Sequence, residues 1–504
     1  MKTSHLLEIG GVILFIAFSD PCSICFAQGS LTPPGAPGAT MLTLSQIEPR
    51  TPITSLPFNI TRPGSYFLTT NLFGVSGTNG ITITTSNVVI DLRGFTLNGV
   101  PGAGDGIFVD AAIQDLLGNI FVRNGIISGW PANGVDADNS INSQFSDLNV
   151  VNNGQNGLNS GQQAIIRNCV AAYNGLEGYG GDLNTFCDWE ACDAHDNGDC
   201  GFYTGSYCTF KDCHGNNNAS AGFNPFLSCT FQDCIADDNY WGVYGYNGDM
   251  FVRCQFAYNG GSGLLGQDNC VVRDTVASNN GDDGISVGNG CALIGCSAST
   301  NATDNIATMS GCTLSQCAAW NSVAGNGFTL GAGNTITACS ALGNATNGID
   351  AGQRTTVQSC NANFNANAGI HASYLSNVQQ CSCFNNGVYG ILSDGNGYSS
   401  LINNNCSYNG VLADSGPPDQ GAGIFITNSP GCRIEGNTLD YNYAALLVAP
   451  NNQALIIRNS ADANVYTSYS LGTGNSWGPI VNVSAGGDIS TIANSSHPDA
   501  NFIH

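Results

Sequence analysis

Positive charge is the first scarcity. The 504-residue chain has two lysines, Lys2 and Lys211, and 12 Lys plus Arg against 36 Asp plus Glu, a formal net charge of −24. Phosphate backbones need a basic footprint, so nucleic acid is not an expected partner. The acidic balance suits solubility and divalent cations, and it repels a polyanion unless cations screen it. Charge of either sign is sparse, at 10% of residues, yet 42% are hydrophobic, which is not the composition of a disordered chain. Long apolar runs are also missing. The one run, Gly10 to Phe18, is too short to span a bilayer comfortably, so no transmembrane segment is expected. Helical periodicity is absent as well.

The short apolar run has another reading. Lys2 precedes it, and Ala27 offers a cleavage point before Gln28. Residues 1–27 therefore predict an export signal, with Glu8 and Asp20 departing from the ideal pattern. The mature chain is expected outside the cell or at its surface, with the periplasm as the alternative. Residues 28–45 read as a flexible Pro- and Gly-rich leader. Residues 46–79 read as an N-terminal cap, 80–459 as a repeat array and 460–504 as a C-terminal cap or tail.

What the sequence has in quantity is glycine (66) and cysteine (22), and both fall in columns. Gly201, Gly222, Gly242, Gly263 and Gly284 are each followed by an apolar residue, at steps of 21, 20, 21 and 21. Seven residues on lie Cys208, Cys229, Asp249, Cys270 and Cys291. Twelve on lie Cys213, Cys234, Cys254, Thr275 and Cys296. Seventeen on lie Asn218, Asn239, Asn259, Asn280 and Asn301. Fixed columns at a fixed period mean that each unit stacks on the next. Asn305, Cys312 and Cys317 fill the slot between Gly284 and Gly327 in phase. Within a unit the alternation has period two, broken by bends. The expected fold is all-β: a three-sided solenoid of about 21 residues per coil, with successive coils paired in parallel about 4.8 Å apart.

The G-h-x-h strand, the C-x-A-x-x-N turn and the Asn column resemble right-handed parallel β-helices of the pectin-lyase-like class. PFNITRPGSYFLTTNL (57–72), VVIDLRGFTLNG (88–99), NSWGPIV (475–481) and HPDANF (497–502) resemble secreted bacterial proteins of that fold. The likeness implies a fold that hosts many activities, extracellular polysaccharide processing among them. No catalytic residue carries over. The Asp-rich calcium cluster with partner Arg of pectate lyases is not found, and the NTD, DD and GHG series of polygalacturonase-like hydrolases is absent as a set.

The Asn column reads as structural, because Asn tolerates the left-handed backbone of a tight turn and its amide can bond to neighbouring coils. The cysteines do not have zinc-ribbon spacing. Their side chains run parallel rather than converge, which favours buried thiols and leaves cross-core disulfides open. Charges at the bend stack too: Glu190 over Lys211, and Asp233, Arg253 and Asp274 in one slot of three coils.

Residues 176–260 are the least ordinary stretch. Tyr203, Trp241, Tyr244 and Tyr246 are the expected substrate-binding residues, since aromatic rings cover the apolar face of a pyranose. Asp193, His195, His214 and Lys211 are the catalytic candidates, with Asp193 placed to orient His214 as a base. Asp237 and Asp238 are the candidate calcium ligands, calcium being the one cofactor considered. Asp282, Asp283 and Asp304 offer too few oxygens for a hard cation, and the lone His371 reads as a solvated face residue. Two functions stay open: a polysaccharide-binding or -processing protein (lyase or glycoside hydrolase), and a non-catalytic rod of the cell surface or matrix. An ice-binding face would need a flat Thr-x-Thr array, which is missing.

Overall fold

A computed structural model describes residues 50–181, 184–411 and 421–504. The expected export signal, the leader, the first residues of the cap and nearly all of the segment 411–420 lie outside the described residues.

Each regular coil holds three short strands. In the coil that begins at Gly201 these are Phe202–Tyr203, Thr209–Lys211 and His214–Asn216; their outer sides are here called faces I, II and III. Every strand pairs in parallel with its counterpart one coil on, as in Phe202↔Phe223, Phe210↔Phe231 and His214↔Ile235. Parallel pairing requires the chain to cross over between partners, and L-residues favour a right-handed crossover. Among the described residues face I has 19 strands, and faces II and III together form one sheet of 38. The only helical element there is a 3-10 turn, Ile489–Thr491. The molecule is a right-handed parallel β-helix, its coils stacked as the column spacing predicts and its hand the one that the family resemblance implies.

The array extends further at both ends than the columns suggest. Phe58–Ile60 already pairs with Ile81–Ile83, and Thr51–Ile53 with Tyr66–Leu68. Thr467–Leu471 continues face I beyond residue 460, and Asn501–Ile503 folds back to pair with 480–482 and with 460–461. The N-terminal coils carry the register without the cysteine and asparagine columns, and at the C-terminal end Asn464, Asn475 and Asn501 continue the acceptor files at altered spacing, which is why counting does not reveal them.

The three corners share one design. A residue with positive φ is followed by a buried one: Tyr207 then Cys208, Asp212 then Cys213, Asn217 then Asn218. The left-handed residue turns the chain. The ladder asparagines are therefore not the left-handed residues, contrary to the sequence reading; the position before them is. Their role is the ladder itself. Asn197, Asn218, Asn239, Asn259 and Asn280 each donate through Nδ2 to the Oδ1 of the next, at 2.9–3.3 Å. Each such buried bond contributes about 1 kcal/mol, and leaving one unmade costs more.

The cysteine slots obey a similar rule. All 20 cysteines from Cys169 to Cys432 are free and buried. Sulfur accepts the backbone N–H of the coil before: Cys208 N to Cys229 Sγ at 3.4 Å, Cys270 N to Cys291 Sγ at 3.3 Å, Cys317 N to Cys339 Sγ at 3.3 Å. Where another residue takes the slot it does the same job. Asp249 Oδ1 accepts from Cys229 N at 2.8 Å, Asn334 Oδ1 from Cys312 N at 2.6 Å, and Thr275 Oγ1 from Cys254 N at 3.4 Å. Small size and acceptor capacity thus explain why Cys, Asp, Asn and Thr interchange there.

Between the corners the core is apolar. Two aromatic stacks run along the axis over the coils of 179–251. Tyr179, Phe202 and Phe223 stack at 4.8 and 4.7 Å; Trp189, Phe210, Phe231 and Phe251 stack at 4.9, 4.5 and 4.9 Å. Phe202 meets Phe210 edge-on at 5.7 Å, which locks the two stacks together. Face III supplies small inward residues (Ala194, Gly215, Ala236) that leave room for these rings.

Candidate functional site

The outward position of face I can be followed from coil to coil: Phe108, Asp136, Asn159, Gly180, then Tyr203, Asn224, Tyr244 and Leu265. Three adjoining concavities lie along this line. The first, about 140 Å³, is bordered by Asp138, Asn156, Asn159, Glu177, Gly181 and Tyr203. The second, about 410 Å³, lies between Tyr203, Thr204, Asn224, Phe226 and Tyr246. The third, about 570 Å³, extends from Tyr244 past Gln267 and Asp268 to Met309. Shared residues join the first two, and Tyr244 and Tyr246 join the second to the third. Glycines at 181, 205 and 288 keep part of the floor free of side chains.

The aromatic residues come together as the sequence suggests. Trp241 and Tyr244 have ring centroids 5.2 Å apart, and Tyr244 and Tyr246 6.1 Å. Phe226, which the sequence reading passed over, lies 4.9 Å from Tyr246. Asn184 fixes the local backbone: its Nδ2 donates to the carbonyls of Gly180 and Tyr203 at 3.0 Å, and its Oδ1 accepts from Gly205 N at 2.7 Å.

The carboxylates beside these rings are not the ones singled out from the sequence. Asp105 and Asp136 stand at the acidic end of face I. Burial raises the pKa of Asp105, against hydrogen bonds from the backbone and side chain of Asn133. Burial, and next the charge of Asp105, raise that of Asp136. An Asx chain carries the edge upward: Asn133 donates to Asp105 Oδ1, Asn156 N to Asn133 Oδ1, and Glu177 N to Asn156 Oδ1. The coils that supply Asp136, Asp138 and Glu177 are spaced irregularly, 23 residues from Gly134 to Gly157 and from Gly178 to Gly201. Counting at period 21 misses them; following the G-h-x-h strand coil by coil finds Asp136.

Asp193, His195, His214, Lys211, Asp237 and Asp238 sit away from face I. Asp193 is in register with His214 on face III, as expected. No hydrogen bond joins them among the described residues, and Asp193 Oδ1 is buried without a partner there. Burial raises the pKa of Asp193, with the nearby charges of His195 and His214 opposing it. His195 Nδ1 bonds instead to Asp196 Oδ2 at 2.7 Å, and its ring meets Tyr173 edge-on. Lys211 lies on face II, across the Asp212 corner from His214. Its Nζ donates to Glu190 Oε1 at 3.0 Å, and that contact raises its pKa. The stacked-charge reading holds at this corner, and Arg253 likewise clasps Asp233 with bonds of 2.7 and 2.8 Å. Asp237 accepts from Ala257 N and Gln255 Nε2 at 2.8 and 3.0 Å, and Asp238 is the left-handed corner residue. Among the described residues no group of three or more His, Cys, Asp or Glu is placed to hold a metal ion.

His371 is not a lone solvated histidine. It occupies the outward line of face I above Asp350. Its Nδ1 lies 2.8 Å from Asp350 Oδ1 and its Nε2 2.6 Å from Asp394 Oδ1. The Asp350 contact, opposed by burial and aided by the Asp394 contact, pushes its pKa up to about 9.

Fold and groove together define a right-handed parallel β-helix protein. The profile of the family described as right handed beta helix region matches residues 242–407 and 350–487. No curated protein matches the sequence. Among solved structures, the mannuronan C-5 epimerase AlgE6 A-module of Azotobacter vinelandii is similar at 12% identity, over 85% of this chain and 90% of that one, with a TM-score of 0.28. Pectate lyase Pel9A is similar at 16% identity, over 56% and 71%, with a TM-score of 0.22. The catalytic domain of a GH87 alpha-1,3-glucanase is similar at 12% identity, over 65% and 61%, with a TM-score of 0.28. At such scores the likenesses carry no argument about activity. No helix among the described residues is long and apolar enough to cross a membrane.

Proposed function

We propose that this is an exported β-helix protein that binds, and in the enzymatic reading processes, an extracellular polysaccharide lying along face I. The observation that carries the reading is the cleft between Tyr203, Phe226 and Tyr246, which continues into carboxylates on one side and into Tyr244 and Asp268 on the other. Aromatic walls cover the apolar face of a pyranose, while amides and carboxylates take its hydroxyls. The chemistry of a hydrolase needs two carboxylates flanking the scissile bond. On this reading Asp136, Asp138 and Glu177 are the groups to test first, ahead of Asp193, His195, His214 and Lys211. The experiment is binding and turnover on a panel of acidic and neutral polysaccharides, with and without calcium. Tyr203→Ala combined with Tyr246→Ala is expected to abolish binding; binding that survives this change removes the groove from consideration.

The non-catalytic rod is the second reading, favoured by the separation of the acid and histidine residues of face III from the aromatic groove. Retained binding without turnover supports it.

A further inference from the structure

Charge is not spread evenly over the three faces. Six successive coils, from Ala292–Ile294 with Ser297–Ser299 to Ser400–Ile402 with Asn405–Ser407, hold no Asp, Glu, Lys, Arg or His in the strands of faces II and III or at the corners that follow them. Charge returns on the coils at either side, with Arg273 and Asp274 before and Arg433, Glu435 and Asp440 after. Within the six coils it is kept to face I and its turns, at Asp304, Asp350, Arg354, His371 and Asp394. A second feature lies on the same stretch. One large apolar side chain per coil follows the outer edge of face III: Trp320, Leu342, Phe364, Phe384, Tyr408 and Tyr441. All but Phe384 are 40–52% exposed. From Phe364 to Tyr441 the rings touch in sequence, with centroids 5.6, 5.3 and 5.0 Å apart. At about 4.8 Å per coil the row is about 24 Å long. A continuous apolar row on a neutral surface marks a place of contact with another molecule. The rings lean on one another, Tyr408 and Tyr441 within 4° of parallel, so a partner meets their edges and not the open faces on which a pyranose stacks. An ionic partner finds no counter-charge. A second copy of this chain fits on both counts. Its side-chain rows repeat at the same coil spacing, so the ridges of one surface mesh with the furrows of the other along their length. Two chains of formal net charge −24 repel wherever their acidic parts approach, and the neutral faces let them meet with the least like charge between them.

We propose that the chain pairs with a second copy of itself through the neutral stretch of face III, with the row from Trp320 to Tyr441 as the seam. Face I and its groove take no part. The test is sedimentation velocity of the full chain over about a hundredfold range of concentration, at low and at high salt. Dimer is expected to rise with concentration and to tighten as salt screens the repulsion between the two chains. Leu342→Asp with Phe364→Asp is expected to weaken pairing about tenfold or more, because it sets like charges against each other in the seam. Both positions are exposed, and Phe364 has a φ of 56°, a left-handed conformation that Asp adopts more readily than Phe, so the coil is kept. Trp320→Ser with Tyr441→Ser, which adds no charge, is expected to weaken pairing as well. Tyr258→Asp, at the same left-handed corner slot and 61% exposed but two coils before the neutral stretch, is expected to leave it unchanged. A chain that stays monomeric over the whole range overturns the proposal, as does a dimer that survives both double variants or one that Tyr258→Asp weakens equally. If the chain is monomeric and the double variants instead lose polysaccharide binding, the row is a glycan surface and the pairing falls.

Discussion

Asn305 donates from its side-chain amide to Oδ1 of Asn344, 3.0 Å away and 39 residues on in the chain. It also accepts from Asn301 Nδ2 at 2.8 Å, so it fills a rung of the asparagine ladder from the wrong side of the coil. The sequence explains how. Asn305 stands in the glycine column and Ser322 in the asparagine column of the same coil. In regular coils a side chain at the glycine would collide with that asparagine: a Cβ on Gly327 would lie 2.6 Å from Asn344 Nδ2. The small Ser322 leaves the space that Asn305 occupies.

The pair predicts a compensated double mutant. Asn305→Gly alone leaves Asn301 and Asn344 without their rung and should cost about 1–3 kcal/mol. Ser322→Asn alone should also destabilise, by crowding. Together they rebuild the regular coil, so the double variant should be more stable than either single one. Urea unfolding of the four proteins measures this; simple additivity of the two losses would refute the exchange.

The Asp350–His371–Asp394 clamp predicts loss of stability in mild alkali. The folded histidine holds its proton to about pH 9, whereas the unfolded one releases it near 6.5. The added stability is therefore complete below about pH 6.5 and is lost as pH rises through 9. His371→Ala should cost about 2 kcal/mol at pH 6, because two adjacent carboxylates lose their shared cation, and much less above pH 9. A pH series of denaturation midpoints for the two proteins checks it.

Asp249 predicts a slope in the other range. Burial in the thiol file raises its pKa from 3.8 to about 7, against the N–H groups of Cys229 and Tyr246 that favour its charge. The folded state keeps a proton that the unfolded state gives up near pH 4. Stability from this group is highest below pH 4 and declines as pH rises to 7, by up to roughly 4 kcal/mol. Asp249→Asn should flatten that decline. It should also cost about 1 kcal/mol at low pH, since its amide cannot accept from Tyr246 N. An unchanged pH slope in the variant would show that Asp249 is not its source.

The repeating coils were legible because each column answers a physical demand that does not vary from coil to coil. A glycine must pass under the asparagine, an acceptor must meet the N–H at each corner, and inward positions must be apolar. Fold class, coil length, the Glu190–Lys211 pair and the aromatic cluster of Trp241, Tyr244 and Tyr246 followed from counting alone. The site was less legible because neighbours in sequence are divided among three faces. Tyr203 and His214 are 11 residues apart, yet a corner on either side of Thr209–Lys211 separates face I from face III. Asp138 and Glu177 are 39 residues apart and border one recess. His371 looked isolated for the same reason, since its partners lie 21 and 23 residues away.

The last strand has a consequence beyond its own pairing. Asn501 receives the amide of Asn459 and Phe502 takes its place over Ser460, while the same strand pairs on its other side with 480–482, so it is the storey between the two. A chain without Asn501–Ile503 would leave that storey vacant, with the Asn459 amide and the backbone groups of 460–461 and 480–482 deprived of their partners. Three residues thus fasten 480–482 to the array, and limited proteolysis of a variant lacking them would reveal whether that strand comes loose.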